Sequence, residues 1–337
     1  MAIRDPYFDV VKAVAISMVV FCHVMCLAPT STFPTWINNF RIGMNMPVFF
    51  VLSGYFAWPM IEARDWRKLG RNIRCYLQPA LFAGVLFTSF ELVIGLVKPM
   101  PRDISVRLVR SVFVDPWFII TLIECQLILF LSFAVCQRMW RALLIVAVVL
   151  LAIMCRPSSV PGTIHWGCLV SMMPHFIFGA IVLRKFGCRL WEKRMVGLSC
   201  LFAFIAFIFS EGDVAANGMS FYTADSTIRA FSSFDSGACF FLRPIVGLLG
   251  AIGVMTLIRL VFDIAPFISC VAKIGTLTLG IYIFHLWPLE RLRSVAWVGS
   301  SRLSVAMTAI AMLAVFSVAT WLLMEKTGRF RKLIWGK

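Results

Sequence analysis

Charge is scarce in this chain, and acidic charge scarcer still. Asp and Glu together number 16 against 32 Lys and Arg, and charged residues fill only 14% of 337 positions. Hydrophobic residues fill 61% and mean hydropathy is +0.89. Soluble domains average nearer 45–50% apolar, so an ordinary soluble domain is excluded. No CxxC pair occurs among the eleven cysteines, which removes the common zinc and redox motifs. Several of them (Cys22, Cys26, Cys125, Cys270) lie in apolar runs and read as small buried hydrophobes. Neither an internal repeat nor a low-complexity tract breaks the sequence, so one domain over 1–337 is expected. The first apolar segment is too long, and too unlike an A-x-A cleavage pattern, for a removable signal peptide.

What is present is a series of long apolar segments. A membrane span needs about 20 mostly apolar residues. Ten segments qualify: 8–28, 42–61, 74–97, 116–136, 140–155, 166–183, 195–210, 239–262, 267–289 and 303–324. The fifth and seventh are short. The expected fold is therefore all-α, a polytopic transmembrane helix bundle of about ten spans. With ten spans both termini share a side. Cations gather on that side: Arg64, Arg67, Lys68, Arg71 and Arg74 follow the second span, and Arg184, Lys185, Arg189, Lys193 and Arg194 follow the sixth. An excess of loop cations marks the cytoplasmic face, so both termini are expected in the cytoplasm. Lys98, Arg102, Arg107 and Arg110 run against this count on the other side. Segment 211–238, the longest polar stretch, is expected to be an external loop. Cations spread between spans, and not over one soluble face, exclude nucleic acid as the partner. Membrane lipids are the expected surroundings.

Polar residues inside the spans carry the chemistry. Lys12 and His23 stand eleven residues apart on the first span. Eleven steps of 100° return to within about 20° of the start, so both share a helix face, roughly 16 Å apart along the axis. Intramembrane ionisable groups face a cavity or bundle interior. An imidazole near neutral pKa can take a proton from a hydroxyl. Asp9 lies on the same face but fourteen residues away, too far to orient the His23 ring. Arg71 and Arg74, in RNIR, stand at i, i+3 on a helix start and suit phosphate oxygens. In MNMPVFFVLSGYF, residues 44–56, Pro47 should kink the helix and Ser53-Gly54 should allow close approach of a backbone or ligand. TLGIYIFH ends in His285, and His165 and His175 complete the histidine set. No metal-type Cys/His spacing occurs, so neither metal nor haem is expected.

Together these pieces resemble the acyltransferase-3 family of integral membrane acyltransferases. Lys12, ten intervening residues and His23 look like its basic-x10-His motif. FDVVKAVAISMVVFCHV and MPVFFVLSGY resemble its first two spans, and Arg71-Asn72-Ile73-Arg74 fits its RxxR motif. PWFIITL at 116–122 and TLGIYIFH at 278–285 look like later landmarks. The resemblance is strongest over 8–79 and faint between 140 and 265. It departs at Asn45, where many relatives carry a second histidine, and at Glu124, which misses the Trp-to-Glu spacing of the longer branch and receives no role.

The resemblance implies transfer of an acyl group, usually acetyl, from cytoplasmic acyl-CoA to a hydroxyl of a surface or exported polysaccharide or its lipid-linked precursor. It implies a bacterial inner-membrane enzyme of the short, stand-alone form. Acyl-CoA would be a co-substrate, with no bound cofactor. On this expectation His23 is the general base or transient acyl carrier, and Lys12, Arg71 and Arg74 hold the CoA phosphates. Ser53, Asn45, Trp117 and His285 are further candidates. The residues alone also suit a transporter or flippase for an anionic solute. That reading would call for broken helices and inverted repeats, and only Pro47 offers a break. A structural or haem-bearing subunit is a third reading.

Overall fold

The computed structural model describes residues 5–29, 32–95, 116–154, 164–210, 234–264, 269–292, 295 and 297–326. The basic segment 98–110, residues 211–233 of the expected external loop 211–238 and the tail after Lys326 lie outside these residues; residues 234–238 are not loop but the first turn of a helix, Phe234–Ile264. Eleven α-helices order the described chain: α1 (Pro6–Met25), α2 (Thr35–Glu62), α3 (Trp66–Gly95), α4 (Trp117–Val135), α5 (Met139–Met154), α6 (Ile164–Ile177), α7 (Arg194–Ser210), α8 (Phe234–Ile264), α9 (Ser269–Thr276), α10 (Thr278–Leu292) and α11 (Arg302–Lys326). A π-helical turn, Phe178–Lys185, extends α6.

Local signals set the helix ends. Asp5 caps α1 by accepting the Tyr7 N–H at 3.0 Å, with Pro6 at the first turn. Asp65 does the same for α3, accepting the Lys68 N–H at 2.9 Å. Ser301 and Ser304 exchange side-chain and backbone hydrogen bonds of 3.1 and 3.0 Å, a reciprocal cap for α11. After α2, Arg64 takes φ 52°. The Asp65 N–H then reaches back to the Met60 carbonyl at 3.1 Å, a Schellman closure without its usual glycine.

Among the described residues seven helices are long and apolar enough to cross a membrane, and α5 and α7 are shorter apolar helices. α9 and α10, joined end to end at Leu277, make a further pass. The expected ninth span is therefore broken into two helices. Side-chain contacts fix the directions. At one end the Phe8 ring meets Tyr55, Phe56 and Trp191, Arg184 meets Tyr55, and Arg259 meets Tyr7. At the opposite end Phe21 meets Phe33, Trp36 meets Phe209, and Arg302 donates to the Thr32 carbonyl. Thus the start of α1, the end of α2, the π turn, the start of α7 and the end of α8 share one end. The cations at 64–74 and 184–194 belong to that same end.

α2 forms the centre, with 83% of its span buried, whereas α3 and α11 bury only 28% and 33% and form the rim. Outward side chains there and on α7 are apolar: Val93, Phe202 and Leu303 are all exposed. Lipid tails are as apolar as leucine, so helices associate here through close packing, not hydrophobic exclusion. Glycines provide it. A methyl group on Gly54 would run into the Phe176 carbonyl, and one on Gly179 into the Val51 carbonyl, so α2 and α6 lie backbone against backbone. The close approach expected at Ser53-Gly54 is thus made by a backbone. Gly275 of α9 lies against the Asp9 carbonyl of α1 in the same way.

Gly54→Ala and Gly179→Ala should each lower thermal stability in detergent by about 1–3 kcal/mol, since the opposing atoms are main chain and cannot turn aside. Gly70→Ala, on the exposed start of α3 with nothing near the added methyl, should be neutral or stabilising by up to about 1 kcal/mol. Equal effects at all three positions would remove the packing role.

Candidate active site

His23 occupies the last turn of α1 and is half-buried, and His285 on α10 is wholly buried. The two rings meet across the bundle. His23 Nδ1 and His285 Nε2 are 2.7 Å apart, with ring centroids at 5.0 Å and planes 21° apart. His285 Nδ1 lies 2.9 Å from the Ile281 carbonyl, one helical turn back. A carbonyl oxygen only accepts, so the hydrogen of neutral His285 sits on Nδ1 and its lone pair on Nε2. That lone pair accepts the His23 Nδ1–H. The lone pair of neutral His23 is thereby placed on Nε2. The tautomers follow from this network.

Four helices wall the pair. The Tyr282 ring stands 5.8 Å from His285, and its hydroxyl accepts the Phe118 N–H at 3.4 Å. That N–H is one of the unpaired donors at the start of α4, so α10 caps α4 from the side. Trp117, half-buried, opens that same turn. Phe118 packs on Tyr282, Phe49 and Phe50 at centroid distances of 5.0, 5.5 and 5.3 Å. One turn before Phe49, Asn45 donates from Nδ2 to Cys22 Sγ at 3.1 Å. Cys22 precedes His23, which closes the circuit through α1, α2, α4 and α10.

Lys12 lies at the other end of the same unbroken helix. It pairs with buried Asp9 at 3.4 Å and stands 5.1 Å over the Phe56 ring. Asp9 thus balances Lys12. Eleven residues separate Lys12 from His23 on α1, and eleven separate Asn45 from Phe56 on α2. The two antiparallel helices therefore share one packed seam, a column of residues roughly 16 Å long. Arg71 and Arg74 are exposed on the first turns of α3, and no described contact ties either to Lys12. Ser53 is half-buried, between the two ends of the column on α2. His175 lies elsewhere, buried on α6 with Nδ1 3.1 Å from the Ser171 carbonyl. The side chain of His165 is outside the described residues. Among the described residues no group of three or more His, Cys, Asp or Glu could hold a metal ion. The His23–His285 contact is itself too short to admit one between those atoms, since each Zn–N bond needs about 2.0–2.1 Å.

Sequence reasoning left His23 without an orienting group. The structure supplies His285, 262 residues away. It also supplies Tyr282, whose only sequence signal was its place within TLGIYIFH.

The chain matches the model of the acyltransferase-3 family, described as an acyltransferase domain, over residues 5–331. It belongs to that family. The protein is a membrane acyltransferase, which sets aside the transporter and haem-subunit readings. No curated protein and no solved structure matches the chain. The network turns His23 Nε2, with its lone pair, away from His285, the arrangement a general base needs. His285 touches the His23 ring and fixes its orientation.

His285→Gln keeps an oxygen that can accept the His23 Nδ1–H, whereas His285→Leu does not. Leu should lower the transfer rate on the order of 10², and Gln should recover most of it. Equal losses in two variants of wild-type thermal stability would make His285 a packing residue.

Proposed function

We propose that this acyltransferase moves an acetyl group from cytoplasmic acetyl-CoA to a hydroxyl of an exported glycan or its lipid-linked precursor. The observation that carries the reading is the His23–His285 pair at the end of an unbroken helix whose other end holds Lys12. The CoA phosphates bind at the basic end of the bundle, where Arg71 and Arg74 offer guanidinium forks and Lys12 a point charge. The pantetheine arm follows the column between α1 and α2. A length of roughly 16 Å suits an extended arm of that kind.

In the transfer step the acceptor hydroxyl gives its proton to His23 Nε2 as its oxygen attacks the thioester carbonyl. The charged imidazole keeps its Nδ1–H on His285, which cannot move because its own Nδ1–H is held by the Ile281 carbonyl. The C–S bond breaks as the tetrahedral centre collapses, and the thiolate takes the proton from His23. An ester and free CoA leave. Direct transfer of this kind requires no covalent acyl-enzyme.

Membranes carrying the protein should release free CoA from acetyl-CoA when given acceptor. His23→Ala and His23→Gln should each lose at least 10²-fold while still binding acetyl-CoA. Arg71→Ala with Arg74→Ala should instead weaken acetyl-CoA binding, and Arg→Lys at either position should weaken it less. A loss under about tenfold at His23 would remove it as the base, and unchanged binding in the arginine double variant would leave those residues as membrane anchors.

The basic end is assigned to the cytoplasm because loop cations stay there. Cys26, exposed beyond the His23 end, and Cys188, after the π turn, test this without an added cysteine. In variants retaining one or the other cysteine, a membrane-impermeant maleimide should label Cys26 in intact cells and Cys188 only after permeabilisation. The reverse pattern would invert the orientation and, with it, the side from which the donor enters.

A further inference from the structure

Asn45 is buried to 5% exposure on α2, yet its amide is only half used. Nδ2 donates to Cys22 Sγ, a weak acceptor. Oδ1, the strong acceptor of the group, has no hydrogen-bond partner among the described residues. A buried amide oxygen without a donor destabilises the fold, and a leucine of similar volume would avoid that cost. Packing alone therefore gives no reason for an amide here. Its position does. Cys22, its partner, stands immediately before His23, about 1.5 Å nearer the Lys12 end of α1. Phe49, one turn along α2, reaches His285 through Phe118 and Tyr282. Ile16 and Val19, buried on the α1 face between Lys12 and His23, offer no side-chain acceptor.

We infer that Asn45 Oδ1 is the docking point for the amide N–H of the acyl-CoA pantetheine arm nearest the sulfur. The inference rests on acyl-CoA as the donor. A pantetheine arm carries two secondary amides, and each N–H gives up water on entering an apolar bundle, so each needs an acceptor there. The amide nearer the sulfur is two methylenes from it. With the thioester carbon at His23, that amide lies just short of His23 on the Lys12 side, which is the level of Asn45. A donor N–H and an orphaned acceptor thus meet, and the bond fixes how far the thioester advances.

The test uses the purified protein with acetyl-CoA and with an analogue whose sulfur-proximal amide N–H is replaced by an ester oxygen. Wild type should show KM about tenfold higher for the analogue with little change in kcat, because the bond is made equally in ground and transition states. Asn45→Leu should raise KM for acetyl-CoA by a similar factor and no longer distinguish the two donors. Asn45→Asp, which keeps an acceptor at that point, should still distinguish them. Discrimination that persists in Asn45→Leu overturns the inference. So does a fall in kcat at constant KM, which would mean that the amide meets the thioester carbonyl during reaction. If Asn45→Leu does not fold, the wild-type comparison decides alone, and equal KM values sink the idea. Absence of any acetyl-CoA-dependent CoA release by wild type is a different failure, since it removes the donor itself and the inference with it.

Discussion

Inside hydrocarbon a polar group has no water to fall back on, so it must find its partner within the protein. The line from the Ile281 carbonyl through His285 to His23 is the clearest consequence. Each atom in it has one role available. The carbonyl must accept, which leaves His285 Nε2 to accept in turn, which leaves His23 Nδ1 to donate. Two neutral rings would otherwise exchange tautomers freely, and the lone pair of His23 would point either way. Burial of His285 and the helical turn behind it remove that freedom. The same constraint explains why Tyr282 spends its hydroxyl on the first turn of α4, where a backbone N–H has no helical partner.

The site also depends on how closely the helices can approach. Main-chain contact at Gly54, Gly179 and Gly275 draws α2 against α6 and α9 against α1. With α9 pinned at Asp9, α10 rises alongside α1 and delivers His285 to the level of His23. α9 and α10 are separate helices meeting at Leu277, whose N–H reaches back to the Ile274 carbonyl at 3.0 Å. Pro47 stands within α2, two residues beyond Asn45. Asn45 thus sits close to a proline that removes one backbone hydrogen bond from an otherwise continuous helix.

Much of this was legible in the sequence, for definite physical reasons. Spans show because twenty apolar residues in a row have few other uses. The shared face of Lys12 and His23 follows from the helical period alone, and α1 proves continuous from Pro6 to Met25. The basic loops announced a common end, and the cations at 64–74 and 184–194 do share one, while Arg302 lies at the other. Contacts between distant segments were not legible. His285 could be seen as a deep histidine, but nothing local told that its ring meets His23. Asn45 stood out only as a departure from the family pattern, and its bond to Cys22 depends on the antiparallel register of α1 and α2. Ser53-Gly54 was read as open to a backbone or a ligand, and only the packed structure shows the backbone of α6 there. The break at Leu277 is not legible in hydropathy because a single apolar residue joins the two helices, and a hydropathy count does not register a turn.

The distribution of charge within the column bears on its proposed use. Lys12 is paired with Asp9, so the lower end carries little net charge of its own, and the exposed arginines of α3 stand outside it. At the upper end His285 donates to the Ile281 carbonyl and accepts from His23, so the two rings satisfy each other within the bundle. An arm of amides and methylenes can pass between such ends without burying a lone charge, which in low dielectric would cost far more than any single hydrogen bond returns. An anionic phosphate could not follow it. Under the proposed function the two ends would sort acyl-CoA by its chemistry: the phosphates would stay at the basic rim, and the neutral arm with its thioester would reach His23.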